Sequence, residues 1–166
     1  MSNEIKVRIA TPADEPELMR LAMAVFHENG LFDADYDKIL GMIRPALYLW
    51  EGICGVIGPV GALEGGVLLR FSQLWYGNTK YIEEKCLFVD DKYRKERGGR
   101  ANKLCEFSKQ VSDSLELPLV IGVMSNTRTR AKMRMYERHF GEPAGTFFLY
   151  KTKTGEALPD QMVVGV

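Results

Sequence analysis

The segment Tyr81–Leu115, YIEEKCLFVDDKYRKERGGRANKLCEFSKQVSDSL, constrains the fold more than any other part of the chain. An apolar run ending at Val89 reads as a strand, and a basic turn containing two glycines follows. From Gly99 the spacing of Ala101, Leu104, Cys105, Val111 and Leu115 predicts an amphipathic helix with those residues on its buried face. A helix start presents unpaired N–H groups and a partial positive charge, which suits a phosphate. Lys92, Arg94, Lys95, Arg97, Arg100 and Lys103 give the turn the same sign. Gly98 and Gly99 let the backbone approach a ligand closely. The same residues also describe a solvated basic turn between two ordinary elements.

The flanking sequence builds a mixed α/β pattern around this unit. Ile5 to Ile9 alternates as a first strand. Thr11-Pro12-Ala13-Asp14 opens a helix with a cap, a proline and a dipole-complementing acid. Leu18, Leu21, Ala22, Val25 and Phe26 form its buried stripe, and Asn29-Gly30 ends it. A second helix starts near Asp35, buries Tyr36, Ile39, Leu40, Ile43 and Leu47, and is kinked or ended by Pro45. Ile53–Gly58 and Ala62–Phe71 read as strands joined by Pro59-Val60-Gly61. Pro118–Met124 is expected as a short strand, Thr127–Phe140 as a basic helix and Gly145–Thr152 as a last strand. This order predicts a mostly antiparallel sheet with flanking helices and one β-α-β crossover. Residues 1–153 read as a single domain and 154–166 as a C-terminal tail.

Equal numbers of acidic and basic residues, 22 each, leave no global field. A basic site must therefore be local, and nucleic acid is not the expected partner. Apolar runs are too short for a membrane span, and the opening MSNEIKVRIA lacks the pattern of a signal peptide. Cys54, Cys86 and Cys105 read as reduced, buried thiols in a reducing compartment, so a cytoplasmic location is expected. Two histidines, His27 and His139, give no expectation of a metal site.

Two further features carry a resemblance. The string Arg94-Lys95-Glu96-Arg97-Gly98-Gly99 follows the strand ending at Val89, and Tyr136-Glu137-Arg138-His139-Phe140 ends the basic helix. From VRIATPADEPELMRLA to about Lys153 the chain resembles the GCN5-related N-acetyltransferases. That family's turn is Arg or Gln, two residues, Gly, one residue, then Gly or Ala. Gly99 fits the last position, whereas Arg97 replaces the first glycine with Gly98 beside it. The altered turn is similar to a variant in phage-encoded members. Asn126 matches the family's asparagine, although it stands ten residues before Tyr136, wider than the usual spacing.

The resemblance implies the GNAT fold and acetyl transfer from acetyl-CoA to a primary amine in a ternary complex, with a small-molecule or peptide acceptor and often a homodimer. It implies that the backbone of Leu87, Phe88 and Val89 pairs with the pantetheine arm, and that Arg94, Lys95, Arg97, Gly98, Gly99, Arg100 and Ala101 cradle the pyrophosphate. Asn126 joins the cofactor residues, and Tyr136 is the acid that protonates the departing thiolate. By register the family's base falls on Glu83. Glu84 is the alternative, because strand neighbours point to opposite faces; ion pairing with Lys80 or Lys85 is the plain structural reading of both. Arg128, Arg130, Lys132 and Arg134 meet the adenosine 3′-phosphate or an acidic acceptor, or form a solvated helix face. Asp33, Asp35 and Asp37 attract a cationic amine or complement a helix start. Two other readings remain open. One is a non-catalytic acyl-CoA or partner-binding module, motivated by Arg97. The other is a nucleic-acid-modifying relative, motivated by the Arg128–Arg134 cluster.

Overall fold

The computed structural model describes residues 4–94, 99–125 and 128–150. Its sheet has five strands in sequential order: β1 (Val7–Ile9), β2 (Gly52–Ile57), β3 (Gly65–Gln73), β4 (Lys80–Val89) and β5 (Leu119–Ile121). The first four pair antiparallel, and β4 pairs parallel to β5. Parallel neighbours need a crossover. The segment between them supplies it with the short α3 (Asp91–Arg94) and the long α4 (Gly99–Leu115). The remaining helices are α1 (Glu15–Asn29), α2 (Tyr36–Leu47) and α5 (Thr129–Phe140).

Local chemistry explains most boundaries. Thr11 and Asp14 form a capping box over a short 3-10 turn that leads into α1. Gly30 ends α1 at φ 58°, a left-handed conformation that glycine enters without steric cost. Asp35 caps α2 by accepting the Lys38 N–H. Pro45 falls in the last turn of α2, which ends two residues later at Leu47.

The sheet is covered on both faces. Leu18, Leu21 and Ala22 of α1 and Ile43, Ala46 and Leu47 of α2 pack on Cys54, Val56, Leu68 and Phe88. Leu104 and Val111 of α4 pack on Ile57, Val67, Leu69 and Ile82. Each Leu, Ile, Val or Phe among them contributes roughly 1.5–3 kcal/mol on burial. Gly55 of β2 lets α4 come close: a Cβ there would sit 2.5 Å from the Phe107 ring.

Four expectations are corrected. Gly145–Tyr150 forms no strand, and Phe147, Phe148 and Tyr150 are exposed. Aromatic content favours a strand, but propensity alone does not form a ladder, and these residues do not pair with the outer edge of β5. β5 is shorter than Pro118–Met124, because its pairing with β4 stops at Ile121. Tyr36 and Leu115 are exposed, since each sits at a helix end beyond the sheet's cover. Lys151 onward, including the proposed tail, lies outside the described residues. Among the described residues no helix is long and apolar enough to cross a membrane.

Candidate active site

One irregularity in β4 organises the site. Leu68 pairs with Cys86 and Leu69 with Glu84, so Lys85 is an extra residue in β4. Below this bulge the Ile82 N–H donates to the Pro118 carbonyl, toward β5. Above it the Asp90 N–H donates to the Glu64 carbonyl, toward β3. Strand alternation then turns the amides of Leu87 and Val89 away from β3. Among the described residues that edge has no strand partner, because β5 pairs with β4 only through Glu84. A stretch of backbone is thus free to accept an extended chain.

Two cavities flank the split. The first, about 320 Å³, is lined by Leu87, Phe88, Val89, Arg94, Arg100 and Ala101, with Arg128 and Lys132 opposite. The second, about 620 Å³, contains Phe32, Asp33, Glu83, Glu84, Tyr136 and Phe147. Leu87, Lys132 and Met135 line both, so the cavities adjoin. The first is cationic, whereas the second is mainly apolar and carries four acids together with Lys38, Lys85 and Lys132.

In the first cavity Arg94 and Arg100 are held in place by acids. Arg94 donates to the Val89 carbonyl at 2.7 Å and pairs with Glu28 and Asp91. Arg100 donates to Glu64 at 2.6 Å and lies 4.2 Å over the Tyr93 ring. Burial lowers the Lys132 pKa, and Arg94 and Arg128 push it the same way. The long α4 begins at Gly99 beside this cluster. A Cβ at Gly99 would meet Ile5 Cδ1 at 2.2 Å, so that glycine also serves helix packing. A freed strand edge, four cations and a helix start fit an amide-bearing arm ending in phosphates. Lys95, Arg97, Gly98 and Asn126 lie outside the described residues.

In the second cavity the two glutamates part. Glu83 pairs with Lys85 at 2.7 Å. Glu84 is 7 % exposed, and its Oε1 accepts the Tyr136 hydroxyl at 2.7 Å. Its Oε2 is buried without a hydrogen-bond partner. Burial raises the Glu84 carboxyl to about 7, against the opposing pull of Tyr136 and Lys132. Burial and the nearby Glu84 raise the Tyr136 phenol above its ordinary value, so it stays protonated. The pair can therefore accept a proton at Glu84 and donate one from Tyr136 near neutral pH. Burial pushes the Cys86 and Cys105 thiols up to about 12, which leaves little thiolate for nucleophilic attack.

Sequence reasoning missed the Lys85 bulge and the bridging place of Lys132. The bulge leaves no local signature in EEKCLFV. Lys132 had one: Arg128, Lys132 and Tyr136 recur at every fourth position, which places them on one helix face. Arg130 and Arg134 point to solvent instead.

This geometry has counterparts among solved structures. A GCN5-related N-acetyltransferase from Ralstonia eutropha JMP134 superposes with a TM-score of 0.67 at 17% identity, over 90% of this chain and 99% of that one. The protein carries the GNAT acetyltransferase fold. AAC(6′)-Iy, in complex with the bisubstrate analog CoA-S-monomethyl-acetylneamine, aligns with a TM-score of 0.67 at 10% identity, over 91% of this chain and 99% of that chain. The aminoglycoside acetyltransferase meta-AAC0020, from an uncultured soil metagenomic sample and in complex with sisomicin, aligns with a TM-score of 0.62 at 17% identity, over 91% and 98% of the two chains. No protein-family model and no curated protein matches the sequence.

Proposed function

We propose that the protein is an acetyl-CoA-dependent N-acetyltransferase that passes the acetyl group directly to a primary amine. The observation that carries this reading is the pair of adjoining cavities at the β4–β5 split, one cationic and one holding the Tyr136–Glu84 pair. The coenzyme A portion of the analogue bound by AAC(6′)-Iy supports the same donor.

Acetyl-CoA, when bound, supplies the thioester that is attacked and the thiolate that departs. The amides of Leu87 and Val89 hold the pantetheine arm as an added strand. Arg94, Arg100, Arg128 and the start of α4 meet its phosphates. An aliphatic amine has a pKa of about 10.4 and arrives mostly as ammonium. Glu84 takes its first proton, since a carboxyl with a pKa of about 7 has ionised molecules available at neutral pH. The nitrogen then bonds to the carbonyl carbon as the carbon–sulfur bond breaks. Tyr136 gives its hydroxyl proton to the sulfur and regains one from solvent, into which Glu84 releases the proton it took. Of the two protons the ammonium loses, one ends on the thiol and the other in solvent.

Free thiol should be released when the purified protein, acetyl-CoA and primary amines are mixed. Tyr136→Phe is expected to slow that release at least about tenfold. Unchanged turnover would remove Tyr136 from the mechanism. Failure of coenzyme A to bind in calorimetry would remove the transferase reading altogether.

A further inference from the structure

Beyond the reaction class, the second cavity has a composition that discriminates among amines. Its wall is mainly apolar: Phe26, Ile39, Val120 and Met124 line it together with the aromatic rings of Phe32 and Phe147. Most of its acids are already engaged. Asp35 holds the Lys38 N–H as the cap of α2. Glu83 is paired with Lys85. Glu84 Oε1 holds the Tyr136 hydroxyl. That leaves Glu84, which lines the cavity as a buried acid with Oε2 unpartnered, and Asp33, which is exposed.

We infer that the acceptor is a primary amine carried on an apolar body of arylalkylamine size, and not a polyhydroxylated polycation. This rests on the transferase reading above. A single ammonium beside Glu84 meets the one buried carboxyl among the described residues that line the cavity. The rest of such a molecule meets apolar side chains and aromatic rings, which reward burial of apolar surface. A cavity of about 620 Å³ is of the size that encloses a small organic molecule. A polyhydroxylated polycation brings several ammonium groups and many hydroxyls. Each of them needs a partner when desolvated, and on this wall the acids are offset by Lys38, Lys85 and Lys132. The chain thus differs from the neighbour solved with sisomicin in acceptor while sharing its fold.

The test uses the full chain, acetyl-CoA, and two probes: 2-phenylethylamine and kanamycin. Thiol release should give a kcat/KM at least about tenfold higher for 2-phenylethylamine. Phe32 is exposed, so Phe32→Ser should spare the fold. That variant should raise KM for 2-phenylethylamine severalfold, with kcat and coenzyme A binding unchanged. Coenzyme A binding combined with equal or faster turnover of kanamycin overturns this inference and leaves the transferase reading standing. Binding without turnover of either amine also overturns it, as does an unchanged KM in Phe32→Ser. Absence of coenzyme A binding overturns both.

Discussion

Two carboxylates, Asp14 and Glu84, are both taken out of water and end in opposite states. Asp14 is 0 % exposed, yet its pKa is lowered. Arg8 grips both of its oxygens at 2.7 and 2.8 Å, and the Thr11 N–H adds a bond at 2.9 Å. Glu84 has one neutral donor, an empty oxygen and a pKa raised to about 7. Burial alone therefore does not set a carboxyl's charge; the donors that surround it do. Asp14 is a finished joint tying β1 to the start of α1. Glu84 is left unfinished beside a cavity, and an unfinished buried acid is the kind that can move a proton.

The sharpest way to break this comparison is to neutralise each acid in turn. Glu84→Gln should fold and lose about a hundredfold in turnover, with coenzyme A affinity unchanged in calorimetry. Retained turnover would make Glu84 a structural acid like Asp14. Asp14→Asn should do the reverse. It leaves the Arg8 guanidinium without its carboxylate and is expected to cost about 2 kcal/mol in denaturant unfolding. Its turnover per folded molecule should match the parent, and a large loss of turnover would mean that the joint reaches the site.

The pH dependence of the two groups has opposite sign, and the effects are smaller. Asp14 has a depressed native pKa. Its stabilisation is present above the unfolded value of about 3.9 and is lost as pH falls through the native one. Glu84 has a raised native pKa. The unfolded chain releases this proton near pH 4.3 while the native chain keeps it to about 7. Stability from Glu84 therefore falls as pH rises between those values. Thermal melts should show Glu84→Gln matching the parent at pH 4 and exceeding it by a few degrees at pH 8. The parent's kcat/KM should rise with pH through about 7 as Glu84 ionises, and that limb should vanish in the glutamine variant.

Legibility followed the range of the interaction that decides each feature. The helix at Gly99–Leu115 was readable because its stripe and its start lie within a few turns of one another. The end of α1 at Gly30 needed only a residue that enters the left-handed region. Gly145–Tyr150 misled because local propensity does not by itself make a ladder, even with the outer edge of β5 open. The meeting of Tyr136 with Glu84 spans 52 residues. Nothing within EEKC distinguishes the two glutamates, because the Lys85 bulge that orients this strand arises from its register with β3.

By itself, then, the sequence determined the order of elements, the crossover from β4 through α4 to β5, and the basic character of the turn between them. Those follow from periodicity, caps and charge, which act over neighbouring residues. Only the tertiary structure decided where β4 parts from β5, which glutamate faces α5, and that one of its oxygens stays empty. Those outcomes depend on how much water and how many donors the rest of the chain leaves around one atom.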